Sequence, residues 1–420
     1  MTTLNEEDRR AYEANIWKTY VFQFLFSFQL WWPIWVLYLT DYRRFSLTQV
    51  SGLEALFWMV IVLSEVPTGA VADRYGRKLS LLLGAACTTA AVAVFGLADS
   101  YLIVLLSYVA WAFGLTFQSG ADSALTFESL RAVGREQEYP RVAGIGFGIF
   151  SLGALGGMLG GAPLAAATDL RFPILLSAGI TFLMLVVAAT YREPPQVEGE
   201  ERLPYRRLVT ESARTVWRQP PVRAMLVLSA LLLGATNAVS IFAQPFLDHH
   251  DVPVRFFGLA QAPMRAAGII GAIAAYRFVA SIGLRPMLIA APVILVASYA
   301  LLGGWISVYA FGATTAIVFT TSVLMPVVHN YLNRRIPNNQ RATILSFRQL
   351  LTSLIIASFQ PGLGVIADQI SLEAVFIASG AFVAVTVPAA LFFWLRADSR
   401  EVEPGAALLE AEAVEAVAGS

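Results

Sequence analysis

Residues 50–98 read VSGLEALFWMVIVLSEVPTGAVADRYGRKLSLLLGAACTTAAVAVFGLA. Two apolar runs of some twenty residues flank one charged turn, Asp73-Arg-Tyr-Gly-Arg-Lys78. A run of that length, coiled at 1.5 Å per residue, spans the ~30 Å hydrocarbon core of a bilayer. A transmembrane barrel strand would alternate apolar with polar residues, and these runs do not. The stretch therefore reads as two membrane helices joined by a short loop.

Working outward, the pattern repeats along all 420 residues. The chain is 57% hydrophobic and 14% charged, against about 25% charged in a soluble domain. That is some 240 apolar residues, the number twelve helices of ~20 residues need. Spans are expected near Trp17–Thr40, Val50–Ala72, Leu79–Ala98, Tyr101–Leu125, Val142–Ala165, Phe172–Tyr191, Arg223–Leu247, Phe256–Phe278, Pro286–Gly303, Trp305–Leu332, Thr343–Ala367 and Leu372–Leu395. The first apolar run is too long for a signal-peptide core and is read as the first span. Zero net charge gives no field for nucleic acid. The single Cys87 cannot form an internal disulfide.

The basic residues set the orientation. With the N-terminus inside, the inner segments carry 22 Lys and Arg and the outer loops four (Arg43, Arg44, Arg171, Arg255). The excess of positive charge inside places both termini in the cytoplasm and the chain in the cytoplasmic membrane. The connection from Arg192 to Val222, rich in Pro, Glu and Arg, divides the spans six and six. This predicts a bundle over 1–191, a cytoplasmic linker over 192–222, a second bundle over 223–396, and an acidic, Ala-rich tail over 397–420 that is disordered or a loose surface helix. Arg141-Val-Ala-Gly opens the fifth span and Arg341-Ala-Thr the eleventh, 200 positions later. With the shared topology, this points to a parallel internal duplication.

The loop Gly69-Ala-Val-Ala-Asp73-Arg74-Tyr-Gly76-Arg77-Lys78 resembles the signature of the major facilitator superfamily, Gly-x-x-x-Asp-Arg-x-Gly-Arg-Arg/Lys, at its usual place between spans two and three. A degenerate copy without the acid runs from Gly271 to Arg277 and on to Arg285. The resemblance covers nearly the whole chain and implies an all-α fold of twelve helices in two pseudo-symmetric bundles. In that fold Asp73 would face the N-terminus of the eleventh helix, where unpaired N–H groups favour a carboxylate. Arg74, Arg77 and Lys78 would pair with Asp122 or Glu128, forming a latch that releases as the halves rock; the plain alternative is a topology signal. Gly69 would let helix two approach a neighbour closely. Gly153, Gly157 and Gly161 form a ridge at spacing four that would lie against helix eight at Gly268 and Gly271, and the run Gly156-Gly157-Met-Leu-Gly160-Gly161 is similar to the glycine motif of drug-proton antiporters, Gly-Pro-x-x-Gly-Gly, with Gly157 where that family has Pro. Ordinary tight packing accounts for it equally. The intramembrane Arg of those antiporters' fourth helix has no counterpart between Tyr101 and Leu130.

A charge in hydrocarbon costs roughly 3 kcal/mol or more, so ionisable residues inside spans need partners or a wet cavity. Arg265 sits about 15 Å along its helix from Arg255, on one face with Gln261 and Gly268. It is a substrate anchor, a switchable partner for an acid, or half of a permanent ion pair. Glu54 and Glu65 share a face of helix two, and Glu65, Glu54 and Asp122 are candidate proton carriers; the alternative for Glu65 is a structural acid beside the latch. Asn237, Ser240, Gln244 and Asp248 make a polar stripe on helix seven that would line a cavity. Trp31 and Trp35 on helix one, Trp111 and Gln118 on helix four, and Thr315 and Ser322 on helix ten would complete its wall, or else the tryptophans pack. His329 is assigned to helix packing over proton relay. No phosphate loop, catalytic constellation or metal-ligand spacing stands out, and no cofactor is expected.

The residues thus predict a secondary transporter, working as a monomer, that moves a small amphipathic organic solute by alternating access, as proton-coupled efflux. Proton-coupled uptake or exchange of an organic anion is the alternative. A non-transporting receptor or scaffold is a more distant one.

Overall fold

The computed structural model describes residues 5–194 and 205–418. Every element among them is helical: α1 (Glu6–Ser27), α2 (Trp35–Leu37), α3 (Leu47–Tyr75), α4 (Arg77–Leu97), α5 (Tyr101–Gln118), α6 (Ala121–Ala132), α7 (Tyr139–Ala167), α8 (Phe172–Thr190), α9 (Tyr205–Arg218), α10 (Pro220–Val239), α11 (Ala243–His249), α12 (Phe257–Ile282), α13 (Leu284–Gly304), α14 (Gly312–Arg335), α15 (Arg341–Gln369) and α16 (Leu372–Ala418). Helix starts follow local chemistry. Ser46 opens α3 with a capping box, its Oγ accepting from the Gln49 amide at 3.2 Å while Gln49 Oε1 accepts from the Ser46 amide at 3.0 Å. Ser100 Oγ accepts from Ile103 N at the start of α5.

Eleven segments among the described residues are long and apolar enough to cross a membrane. The first expected span, Trp17–Thr40, is not one continuous helix. It stops at Ser27, turns over residues 28–34, and resumes as α2 and a π-turn over Tyr38–Tyr42. Pro33, which has no N–H to donate, stands in the break. The fourth span is interrupted between α5 and α6 at Ser119-Gly120, where Gly120 takes φ +73°. The seventh is interrupted between α10 and α11 by a 3-10 turn over Ser240–Phe242. Within the expected central linker, α9 is an additional helix; residues 195–204 lie outside the described part. The tail expected to be disordered or a loose helix has helical backbone through Ala418.

The chain divides into two compact units. The first comprises Met1–Glu200, Ser240–Arg265 and Ala357–Leu372. Its core includes Phe22, Leu81, Leu125, Met184 and Tyr191. Here the glycine ridge of α7 packs on the first span, and the start of helix eight also meets α7, where a Cβ on Gly258 would overlap the Met158 carbonyl; the partners expected on helix eight, Gly268 and Gly271, face α14 instead. A Cβ on Gly157 would come within 2.7 Å of the Gln29 carbonyl oxygen, one on Gly161 would overlap the Leu30 carbonyl, and one on Gly153 would overlap Ser27 Oγ. The unwound backbone is thick at this point, and only a residue without a side chain fits beside it.

The second unit comprises Glu201–Val239, Ala266–Ile356 and Glu373–Ser420. Gly268 and Gly271 of α12 face Ser322, Val318 and Phe319 of α14. Asp398 of α16, with its side chain 9% exposed, pairs with Arg285 at 3.0 Å and Arg335 at 3.2 Å and accepts from Tyr331 Oη at 2.9 Å.

Candidate functional site

The charged turn between α3 and α4 is built around a backbone requirement. Gly76 has φ +101°, a conformation side-chain-bearing residues rarely adopt. It ends α3 and begins α4, leaving the first amides of α4 without helical partners. The carboxylate of Glu193, just past α8, fills that place: Arg77 N and Lys78 N each donate to it at 2.6 Å. A Cβ on Gly76 would lie 2.7 Å from the same carboxylate. The Arg77 guanidinium, 15% exposed, pairs with Asp73 at 2.8 Å and Glu128 at 3.7 Å. Arg74 lies over the Tyr75 ring.

Glu193 is absent from the residues singled out in the sequence, although Glu-Pro-Pro directly after a span marks it. Asp122, expected as an alternative partner of the basic residues, points into a cavity. A Cβ on Gly69 would meet nothing within 4 Å, so the close approach expected there is not made.

Side chains from afar hydrogen-bond to the backbone of the break in the first span, beside local turns. The Leu30 amide donates to Ser177 Oγ at 3.0 Å. Val36 N and Leu37 N, the open amides of α2, donate to Gln244 Oε1 at 2.9 and 3.3 Å, and Gln244 Nε2 donates to the Trp32 carbonyl at 2.9 Å. Gln261 Nε2 donates to the Pro33 carbonyl at 3.2 Å and to Phe257 O at 3.0 Å. Gln244 and Gln261 were expected to line a cavity. They are buried instead, because backbone groups without water must find protein partners. Arg265, one turn beyond Gln261, lies 5.0 Å above the Trp32 ring. It forms no ion pair among the described residues and is exposed. In the same unit, the Asp368 carboxylate accepts from Leu47 N, Thr48 N and Thr48 Oγ1 at the start of α3.

Trp31 is buried. Its indole N–H donates to Gln29 Oε1 at 3.0 Å, and its ring stands edge-on to Trp111 at 4.9 Å. With Trp35, Tyr108 and Trp111 it lines a cavity of about 20 Å³, room for one water. Glu54 lies beside this cluster, near Trp58 and the unpartnered Tyr108 hydroxyl. Glu65 accepts from Ser119 Oγ at 3.2 Å, at the break in the fourth span.

The larger cavity of the first unit, about 500 Å³, is walled by α1, α5, α6 and α7. It holds Asp122, Gln118 and a residue the sequence reading passed over, Gln23, which hydrogen-bonds to Asp122. Its signal was present: Asn15, Thr19 and Gln23 recur every fourth position on α1. Asn15 Nδ2 donates to Ser129 Oγ at 2.9 Å, and Thr19 Oγ1 is 3.1 Å from Thr126 Oγ1. Asn237 and Ser240 are exposed, while Thr315 and Ser322 are half-buried on α14. Arg348 of α15 was also missed. It is 8% exposed, touches Met325 Sδ at 3.4 Å, and has no ion pair among the described residues. His329 lies close to it. No group of three or more metal-ligating side chains occurs among the described residues.

Comparison with known proteins places this geometry. Two solved structures of the nucleoside transporter NupG, the first of them a point mutant, match with TM-scores of 0.77 and 0.75, at 12% and 11% identity, over 90% of this chain and 100% and 99% of theirs. A bacterial homologue of the human lysosomal transporter Spinster matches at 0.65, with 17% identity, over 94% of this chain and 98% of that one. These likenesses concern the fold. The uncharacterised MFS-type transporter YxaM of Bacillus subtilis (strain 168) is 22% identical over 370 residues, 84% of this chain and 89% of that protein. The family model of the Major Facilitator Superfamily matches residues 20–302. The signature loop, the helical architecture and these matches agree, and the chain belongs to the major facilitator superfamily.

Proposed function

We propose that this protein is a secondary active transporter of the cytoplasmic membrane that exports a small amphipathic organic solute by alternating access, in exchange for protons. The observation that carries this is the cavity of about 500 Å³, with aromatic walls, amide groups and one carboxylate, Asp122. That wall suits a solute with an apolar body and a polar head. Two six-helix bundles, 1–191 and 223–396, rock about such a site, with both termini cytoplasmic and the monomer as the working unit. Asp73, Arg77 and Glu128 belong to a latch that also engages the eleventh span in the opposite state. Glu65, Glu54 and Asp122 are the acids available to carry the proton. Folds similar in shape include a nucleoside transporter and a bacterial homologue of the lysosomal transporter Spinster, which is consistent with organic cargo.

The test is transport in proteoliposomes under an imposed pH gradient. Solute movement driven by the gradient is expected, and Glu65→Gln is expected to uncouple it. If no amphipathic solute responds to the gradient, the coupling is refuted. A second reading, uptake or exchange of an organic anion, draws on Arg265 and Arg348, two arginines inside spans with no carboxylate partner among the described residues.

A further inference from the structure

The charge of the larger cavity is one-sided. Asp122 is the only charged residue among those that line it. One of its oxygens accepts from Ser123 N at 2.7 Å, and the Gln23 amide donates to the carboxylate. Because a carboxylate only accepts, the Gln23 nitrogen is turned towards Asp122 and its oxygen is left over. That oxygen, buried and without a partner, occupies the space beside Gly146, where any Cβ would overlap it.

Gln118 repeats the arrangement. Its Nε2 donates to the Gly114 carbonyl at 2.9 Å and to Thr88 Oγ1 at 3.1 Å. A carbonyl cannot donate, so this amide is also fixed, and Gln118 Oε1 is buried without a partner. Two leftover acceptors and one carboxylate thus belong to side chains of one cavity wall, with no Lys, Arg or His among the lining residues. A buried acceptor without a donor is unfavourable, and a bound molecule that brings donors relieves it.

We propose that this cavity binds a protonated amine: Asp122 neutralises the ammonium, the amide oxygens of Gln23 and Gln118 accept its N–H groups after small side-chain rotations, and Phe26, Phe147 and Phe150 hold its apolar body. This rests on the cavity being the substrate site of the transporter proposed above, and it specifies the charge of the cargo. A cation seated on Asp122 displaces the proton that carboxylate would otherwise take up. An anion would meet an uncompensated carboxylate, and a neutral alcohol would leave it without a counter-charge.

The experiment is equilibrium binding to the purified full chain without any gradient. Three probes share one ring system: tryptamine as the cation, indole-3-ethanol as the neutral form and indole-3-propionate as the anion. Tryptamine is expected to bind at least tenfold tighter than the alcohol, with the propionate weakest. Asp122→Asn is expected to bring tryptamine down to the alcohol's affinity, and Asp122→Glu to retain the preference. Equal affinities, tighter binding of the propionate, no binding of tryptamine, or an amine preference that survives in Asp122→Asn would each overturn the proposal. The comparison among probes in the unaltered protein holds even if a variant fails to fold. Selective amine binding together with absent gradient-driven transport refutes the transport reading alone.

Discussion

Gln244→Leu tests how the broken first span is held. Leucine fills a similar volume but supplies no polar group, so Val36 N, Leu37 N and the Trp32 carbonyl all lose their partner. A hydrogen bond contributes about 1 kcal/mol net, and an orphaned buried group costs about 1–3 kcal/mol. Three such contacts give a local cost of roughly 3 kcal/mol, or about two powers of ten in the opening equilibrium. Gln261 still holds the Pro33 carbonyl and Ser177 the Leu30 amide, so the loss should stay local. The assay is amide hydrogen exchange read on peptides covering residues 30–40 and, as a reference, α8. In Gln244→Leu the Val36 and Leu37 amides should exchange about 100-fold faster, with α8 unchanged. Gln244→Glu keeps two acceptor oxygens for those amides and should retain most of their protection. Unchanged exchange at Val36 and Leu37 in a folded Gln244→Leu protein would refute the assignment, because the amides would then be protected by something other than this side chain.

Two further substitutions probe the loop and its distant counterpart. Gly76→Ala forces a side chain into φ +101° and against the Glu193 carboxylate; a loss of about 1–2 kcal/mol is expected, read as a lower thermal midpoint, and an unchanged midpoint would mean the turn relaxes freely. Asp398→Ala leaves Arg285, Arg335 and the Tyr331 hydroxyl without their shared acceptor. Both arginines are partly exposed, so the loss is discounted to about 1–3 kcal/mol, with Asp398→Asn expected to fall between; equal stability of all three proteins would show the cluster to be solvent-compensated.

Much of the fold is legible in the residues because a bilayer imposes one rule on every span: twenty apolar residues, with backbone satisfied internally. The runs on either side of Asp73–Lys78 carry that rule openly. The loop motif likewise marked Asp73 as facing the eleventh helix and Arg74, Arg77 and Lys78 as partners of Asp122 or Glu128; the structure pairs Arg77 with Asp73 and Glu128. What hydropathy does not carry is where a helix is broken. Pro33 and Gly120 allow a break, yet Pro67, Pro163 and Pro361 all lie inside continuous helices. The decision rests with groups more than two hundred positions away, as Gln244 is from Val36, and a single sequence states no such pairing. For the same reason the glycine ridge was legible as a surface for close approach, while its partner, the unwound backbone at Gln29 and Leu30, was not.

A polar residue within an apolar span has two possible destinations, and its chemistry sorts between them. An amide carries both donor and acceptor, so it can satisfy a broken helix on both sides; Gln244 does this with Val36, Leu37 and Trp32, and Gln261 with Pro33. A full charge is a poor match for neutral backbone, because its field remains uncompensated after the hydrogen bonds are made. Among the described residues Arg265 rests only on a tryptophan face, Arg348 touches a thioether, and Asp122 has amide partners but no counter-ion. Hydropathy treats these glutamines and charges alike as interruptions of a span. Their hydrogen-bonding capacities separate them: Gln244 and Gln261 are taken up by the broken helix, and Arg265, Arg348 and Asp122 stay without a counter-charge among the described residues.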